Sequence, residues 1–133
     1  MAIRWIGLGV ALVLLSSSGA RVVYADCSML YALAQQHAND MARRNSLDHA
    51  GFKRHRGPAG ATAENVAVGC ADEACARRAW MQSAPHRANM ALGGCQAIAS
   101  AVSKSGRRYW AMEIGGGSVS AVRDFSVDGS APH

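Results

Sequence analysis

The stretch Thr62-Ala63-Glu64-Asn65-Val66-Ala67-Val68-Gly69-Cys70 sets a carboxylate and an amide at the head of a short apolar run. A run of that kind is expected to be buried, and a carboxylate carried into a core is costly unless it is paired, hydrogen-bonded or metal-bound. Glu64 therefore requires partners from elsewhere in the chain. A second pattern with chemical content is Ser83 and His86, three residues apart, which could be read as a nucleophile and its base. Pro85 breaks the helical register between them and no glycine-flanked elbow surrounds the serine, so a capping or turn role for Ser83 is the better reading. The four cysteines, Cys27, Cys70, Cys75 and Cys95, lack the paired CxxC spacing of a zinc site.

The elements that must position these groups follow from periodicity. Over residues 27–45, Leu30, Leu33, Ala34, His37, Ala38, Met41 and Ala42 recur at helical spacing, with the polar residues mostly off that stripe. His37 lies on the stripe and reads as a satisfied core histidine. Residues 47–61 form a loop in which Gly51, Gly57, Pro58 and Gly60 forbid long regular structure, and His55 in its basic run is expected to be exposed. Residues 64–69 make a short extended segment. Residues 71–83 read as a second helix, with Asp72 and Glu73 in its first turn, and Pro85 then holds His86 and Arg87 at a turn or at the start of a new helical turn. Residues 95–102 and 108–114 suit two strands joined by a short loop ending in Gly106, and in the second strand alternation predicts one buried face, with Glu113 on the polar side. Trp80, Tyr109 and Trp110 are expected to be core. Helices packed on an antiparallel hairpin sheet make the fold class α+β.

The chain of 133 residues opens with an early arginine, an apolar block over residues 6–15 and then small and polar residues, the pattern of a secretory signal peptide spanning residues 1–25. The block is too short for a membrane-spanning helix, so the mature chain carries no transmembrane segment. One small domain over residues 26–115 follows, and the Gly- and Ser-rich residues 116–133 read as a flexible C-terminal tail. A domain of this size needs staples, and an even count of cysteines in an exported protein predicts two disulfides. Three connectivities are open. The short loop between Cys70 and Cys75 makes that pair plausible and would leave Cys27 to hold the first helix against Cys95. The mature domain loses Arg4 and Arg21 from the formal charge of +5 and keeps +3, in scattered basic pairs without interleaved aromatics. That distribution excludes nucleic acid as a partner and reads as solvated charge on a monomer.

Four motifs then occur in order: AQQHANDMARRNSLDH, AENVAVG, WMQSAPHRANM and GRRYWAMEIG. Together they resemble the bacterial branch of the CAP superfamily, the SCP domain, over nearly the whole mature domain. The resemblance implies an α-β-α sandwich with a central antiparallel sheet, and a cleft lined by two histidines and two acidic residues that in some members bind a divalent metal. His49 matches the first histidine, Glu64 the acidic residue of the Glu-Asn motif and His86 the second histidine, with Asn65 anchoring nearby backbone. The fourth position does not match, because Ser83 stands where many members carry glutamate. The amino-terminal helix usual in bacterial relatives is also missing, which removes part of the cleft wall. The implied cleft is thus His49, Glu64, His86, Asn65 and Ser83, with His49, His86 and Glu64 as the ligands of any zinc or magnesium. Trp80, Tyr109 and Trp110 are where a lipid or sterol groove would lie. The expected function is a secreted, extracellular or periplasmic, non-enzymatic binding module for a small molecule or lipid. The alternative is a metal-dependent hydrolase or peptidase acting on envelope or extracellular material.

Overall fold

A computed structural model describes residues 26–116. The expected signal peptide at residues 1–25 and, apart from Gly116, the expected tail at residues 116–133 lie outside the described residues. The order of elements is helix α1 (Cys27–Arg44), a single π-helical turn (Phe52–Arg56), strand β1 (Ala61–Val68), helices α2 (Glu73–Met81) and α3 (Ala84–Met90), and strands β2 (Cys95–Val102) and β3 (Arg108–Gly115). The three strands form one antiparallel sheet in the order β1-β3-β2, so the last strand is the central one.

Helix α1 begins where the Asp26 carboxylate accepts the Met29 N–H at 2.8 Å, satisfying one of the free amides of the first turn. It ends at Asn45, whose left-handed backbone (φ 51°) closes the last turn and whose side-chain oxygen accepts from Tyr109 Oη and Ser105 Oγ, both at 3.0 Å. Leu30, Ala34, His37, Ala38, Met41 and Ala42 are buried, as the stripe predicts. The stripe packs against Val66, Ala99, Tyr109 and Ala111.

The opposite face of the sheet presents Ala63, Ile98, Trp110, Met112 and Ile114 to Ala76 and Trp80 of α2. Layers of helix, sheet and helix result, and each large apolar side chain removed from water contributes about 1.5–3 kcal/mol. Because β3 is covered on both faces, the expectation of a single buried face fails: Tyr109 through Gly115 are all buried. Alternation marks faces in a strand covered on one side, and a central strand between two helical layers loses that contrast. Close packing at the β1–β3 crossing needs Gly115, since a Cβ there would stand 2.5 Å from the Gly60 carbonyl oxygen.

A boundary also shifts at the second helix. The second helix is shorter than expected, with Asp72 as the cap of α2, its carboxylate accepting the Cys75 N–H at 2.8 Å, and Pro85 sits in the first turn of α3, the new helical turn that the sequence allowed at His86 and Arg87. The disulfides pair Cys27 with Cys95 and Cys70 with Cys75, with Cα separations of 5.6 and 5.5 Å. The first ties the start of α1 to the start of β2. The second closes the turn between β1 and α2.

Candidate functional site

The loop after α1 is not irregular throughout. Gly51, at φ 81°, starts the π-helical turn, and its N–H-accepting carbonyl takes His55 at 2.9 Å while Gly57 donates back to Phe52 at 2.8 Å. A Cβ on Gly51 would stand 3.2 Å from Arg56 Nη1, so glycine is required both for the backbone and for room. The wide turn leaves Lys53, Arg54 and His55 outside and folds Arg56 inward to 6% exposure. The reading of this basic run as solvated charge is therefore wrong at its last residue.

Arg56 meets Glu64 with two prongs, Nε donating to Oε2 at 2.5 Å and Nη2 to Oε1 at 3.0 Å, while Nη1 donates to the Ala50 carbonyl at 2.9 Å. His49 Nδ1 donates to the same Glu64 Oε1 at 2.7 Å. A second imidazole is close, and it is His37 rather than His86: its Nε2 is 3.4 Å from Glu64 Oε1 and 2.8 Å from the Asp48 carbonyl. A carbonyl only accepts, so His37 carries its proton on Nε2 and leaves Nδ1 bare and buried. Burial holds the His37 pKa below the ordinary histidine value, against the pull of Glu64.

Glu113 completes the cluster. It stands directly opposite Glu64 in the β1–β3 register, is fully buried, and has Oε1 3.1 Å from Arg56 Nε. That N–H is aimed at Glu64, so neither Glu113 oxygen receives a well-aligned hydrogen bond. Two adjacent carboxylates cannot both ionise beside one guanidinium without large cost. Burial first, and then the adjacent Glu64 carboxylate, push Glu113 far above the carboxylate range, so it is held as the neutral acid. For Glu64, burial would raise the pKa, but the hydrogen bonds of His49 and Arg56, with the adjacent Glu113 held neutral, outweigh it and hold the group ionised. One proton thus serves two carboxyls.

The segment carrying His49 is held from α1. Asp48 accepts from Arg44 Nη1 and Nη2 at 2.7 and 2.9 Å, from Ser46 Oγ at 2.8 Å and from the Ala50 N–H at 3.0 Å. These bonds, the Arg44 pair foremost, depress the Asp48 pKa well below the usual carboxylate range. His49 keeps a side chain that is 21% exposed. With Nδ1 tied to Glu64, Nε2 is the nitrogen left to face a ligand.

Asn65, the next residue of β1, faces the other side of the sheet. Its Nδ2 donates to the His86 carbonyl at 3.1 Å, and its Oδ1 accepts from Asn89 Nδ2 at 2.9 Å, so it does anchor backbone. His86 is half-buried on α3, and its pKa is lowered by burial first and by the neighbouring His49 second. Ser83 is the cap residue of α3 and makes no side-chain capping bond; its carbonyl accepts the Arg87 N–H at 2.8 Å. Trp80 and Tyr109 are buried, and Trp80 Nε1 donates to the Val66 carbonyl at 3.0 Å, closing part of the β1 edge.

His49 and Glu64 are therefore joined directly, and His86 stands near His49 but makes no contact with Glu64 among those described. Glu64 is not free to join His49 and His86 as a ligand of a zinc or magnesium ion. Both Glu64 oxygens are taken by Arg56 and His49 N–H groups, and among the described residues no group of three or more His, Cys, Asp or Glu side chains is placed to hold a metal. Sequence reasoning missed Arg56, and it left His37 and Glu113 outside the site. The available signal was electrostatic: a buried glutamate demands a cation, and the only basic run between His49 and Glu64 is Lys53-Arg54-His55-Arg56.

Among the described residues no helix is long and apolar enough to cross a membrane. The family model for CAP, the cysteine-rich secretory protein family, matches residues 3–114. No curated protein and no solved structure matches the chain.

Proposed function

Because the chain belongs to the cysteine-rich secretory protein family, CAP, we propose that it is a secreted binding module of the bacterial branch, acting without catalysis. In this reading residues 1–25 are a cleaved signal and residues 26–115 the working domain. Two disulfides in so small a domain favour an oxidising, extracellular or periplasmic setting. The ligand is a small polar molecule or a lipid headgroup, met by His49 Nε2 and by the half-buried His86.

The observation that carries the reading is the state of Glu64. A hydrolase of the metal-dependent kind needs an activated water and open coordination positions, but here the carboxylate is already saturated by Arg56 and His49. Ser83 adds no nucleophile, since it is itself the cap residue of α3 and no hydrogen bond joins its hydroxyl to His86 among the described residues. What Glu64 does is fix the His49 ring, which favours recognition by a preoriented imidazole.

The test follows the ring resonances of His49 and His86 by NMR as a fatty acid, a sterol or a short peptide is added. Binding by one of these is expected to shift both rings, and His49→Ala is expected to abolish the response. Silent rings combined with turnover of a peptide or ester substrate would overturn the proposal.

A further inference from the structure

We propose that the hairpin joining β2 to β3 is a docking tip for an anionic lipid surface, carried by Lys104, Arg107 and Arg108 beside the exposed Val102. The proposal holds whatever ligand the His49 cleft takes. It starts from an imbalance of charge. Every carboxylate among the described residues is already engaged: Asp26 and Asp72 cap helices, Asp40 and Asp48 hold Arg43 and Arg44, Glu73 holds Arg77, and Glu64 and Glu113 share Arg56. Lys104 and Arg107 are exposed and Arg108 is half-buried, and none of the three forms an ion pair among the described residues. Positive charge is thus left over at one turn, where an outside anion can answer it.

The turn is held in shape. Gly106 N–H donates to the Ser103 carbonyl at 2.9 Å, Arg107 N–H to Ser103 Oγ at 3.1 Å, and Ser105 Oγ to Asn45 Oδ1 at 3.0 Å, which ties the tip to the end of α1. The Arg107 guanidinium lies over the Tyr109 ring at 5.7 Å and that of Arg108 over Trp110 at 5.9 Å, with Arg108 Nη1 also donating to Ser100 Oγ at 2.9 Å. Tyr109 belongs to the core layer under α1 and Trp110 to the layer under α2, so the two guanidiniums flank the sheet on opposite faces and cannot close on one small anion. Spread in this way, with Lys104 at the turn between them, the cations fit a plane of headgroups met tip first. Val102 selects lipid over an acidic polysaccharide. It is 50% exposed and stands directly opposite Arg108 in the β2–β3 register, an apolar contact next to a cation, which an interface between water and hydrocarbon rewards.

The experiment is co-sedimentation of the chain, recovered from a secreting host, with vesicles of equimolar phosphatidylglycerol and phosphatidylcholine, with vesicles of phosphatidylcholine alone, and with immobilised heparin as the polysaccharide arm. Each cation held against an anionic leaflet raises partitioning about fivefold. Wild type is expected to sediment with the mixed vesicles, to ignore the neutral ones and to be released as salt rises. Replacing Lys104, Arg107 and Arg108 together by glutamine is expected to weaken that binding about a hundredfold, whereas the charge-keeping pair Arg107→Lys and Arg108→Lys retains it. Arg54→Gln with Arg78→Gln, exposed cations on other elements, should change it by less than about threefold, and Val102→Ser should weaken it by about threefold. Should the triple variant fail to fold, Lys104→Gln alone decides, with an expected loss of about fivefold. The proposal is overturned by equal binding to neutral vesicles, by a loss in the Arg54 and Arg78 variant as large as that at the tip, or by capture on heparin without any on vesicles, which would make the partner an acidic polysaccharide.

Discussion

The two faces of β1 handle buried polarity in opposite ways. Toward α1, Glu64 enters an ionic cluster of Arg56, His49, His37 and Glu113. Toward α2 and α3, Asn65 enters a neutral network in which one amide bridges the His86 carbonyl and the Asn89 side chain. An amide needs only geometry to be satisfied, and two local hydrogen bonds suffice. A carboxylate needs a counter-charge, and the chain must route a long side chain inward to supply it. The ionic face therefore reshapes a loop into a π-helical turn, whereas the amide face uses helix ends that are already present.

The largest expected effect tests the ionic side. Arg56→Met leaves a buried carboxylate without its cation and is expected to cost about 3–5 kcal/mol in urea unfolding. Asn65→Ala removes neutral bonds and is expected to cost about 1–3 kcal/mol, with the His86 ring resonance displaced because its backbone loses an anchor. Equal costs for the two would erase the contrast between the faces.

A finer test is pH. Glu113 is held protonated in the fold, with its pKa pushed up to about 11, while the unfolded chain releases that proton near the ordinary glutamate value. A raised folded pKa stabilises fully below the unfolded value and loses that contribution as pH climbs. Stability should thus fall with rising pH above the ordinary glutamate range through this group. Glu113→Gln keeps the neutral shape and is expected to flatten that slope, seen as a urea midpoint that changes less between neutral and alkaline pH. Identical slopes would place the shared proton elsewhere. Glu64 has the opposite sign, its lowered pKa giving stability that drains away as pH drops below the carboxylate range.

The smallest expected effect is at Ser83. With no side-chain capping bond, Ser83→Ala should stay within about 0.5 kcal/mol of wild type. A loss of about 1 kcal/mol would mean that its hydroxyl caps α3 in solution.

Much of the architecture was legible because it is periodic. The α1 stripe, the β2 and β3 segments and the disulfide loop at Cys70 all declare themselves through spacing. The site was half legible. His49, Glu64 and Asn65 were marked by ordered motifs, but Arg56 sits in a run whose other members are exposed, and no period separates an inward arginine from an outward one. His37 looked like core because it lies on an apolar stripe, and it is both core and a neighbour of Glu64. Glu113 was assigned to a polar face that does not exist, because the strand carrying it proved to be the middle of the sheet.

Adjacent placement of Glu64 and Asn65 carries one more consequence. Should β1 slide by a single residue against its central partner, every side chain would exchange layers: the acid would land beneath Trp80 among hydrocarbon, and Arg56 would confront an amide. Charge thus acts as a proofreader of strand alignment, rejecting the slipped sheet by an electrostatic penalty that hydrophobic residues alone would not impose.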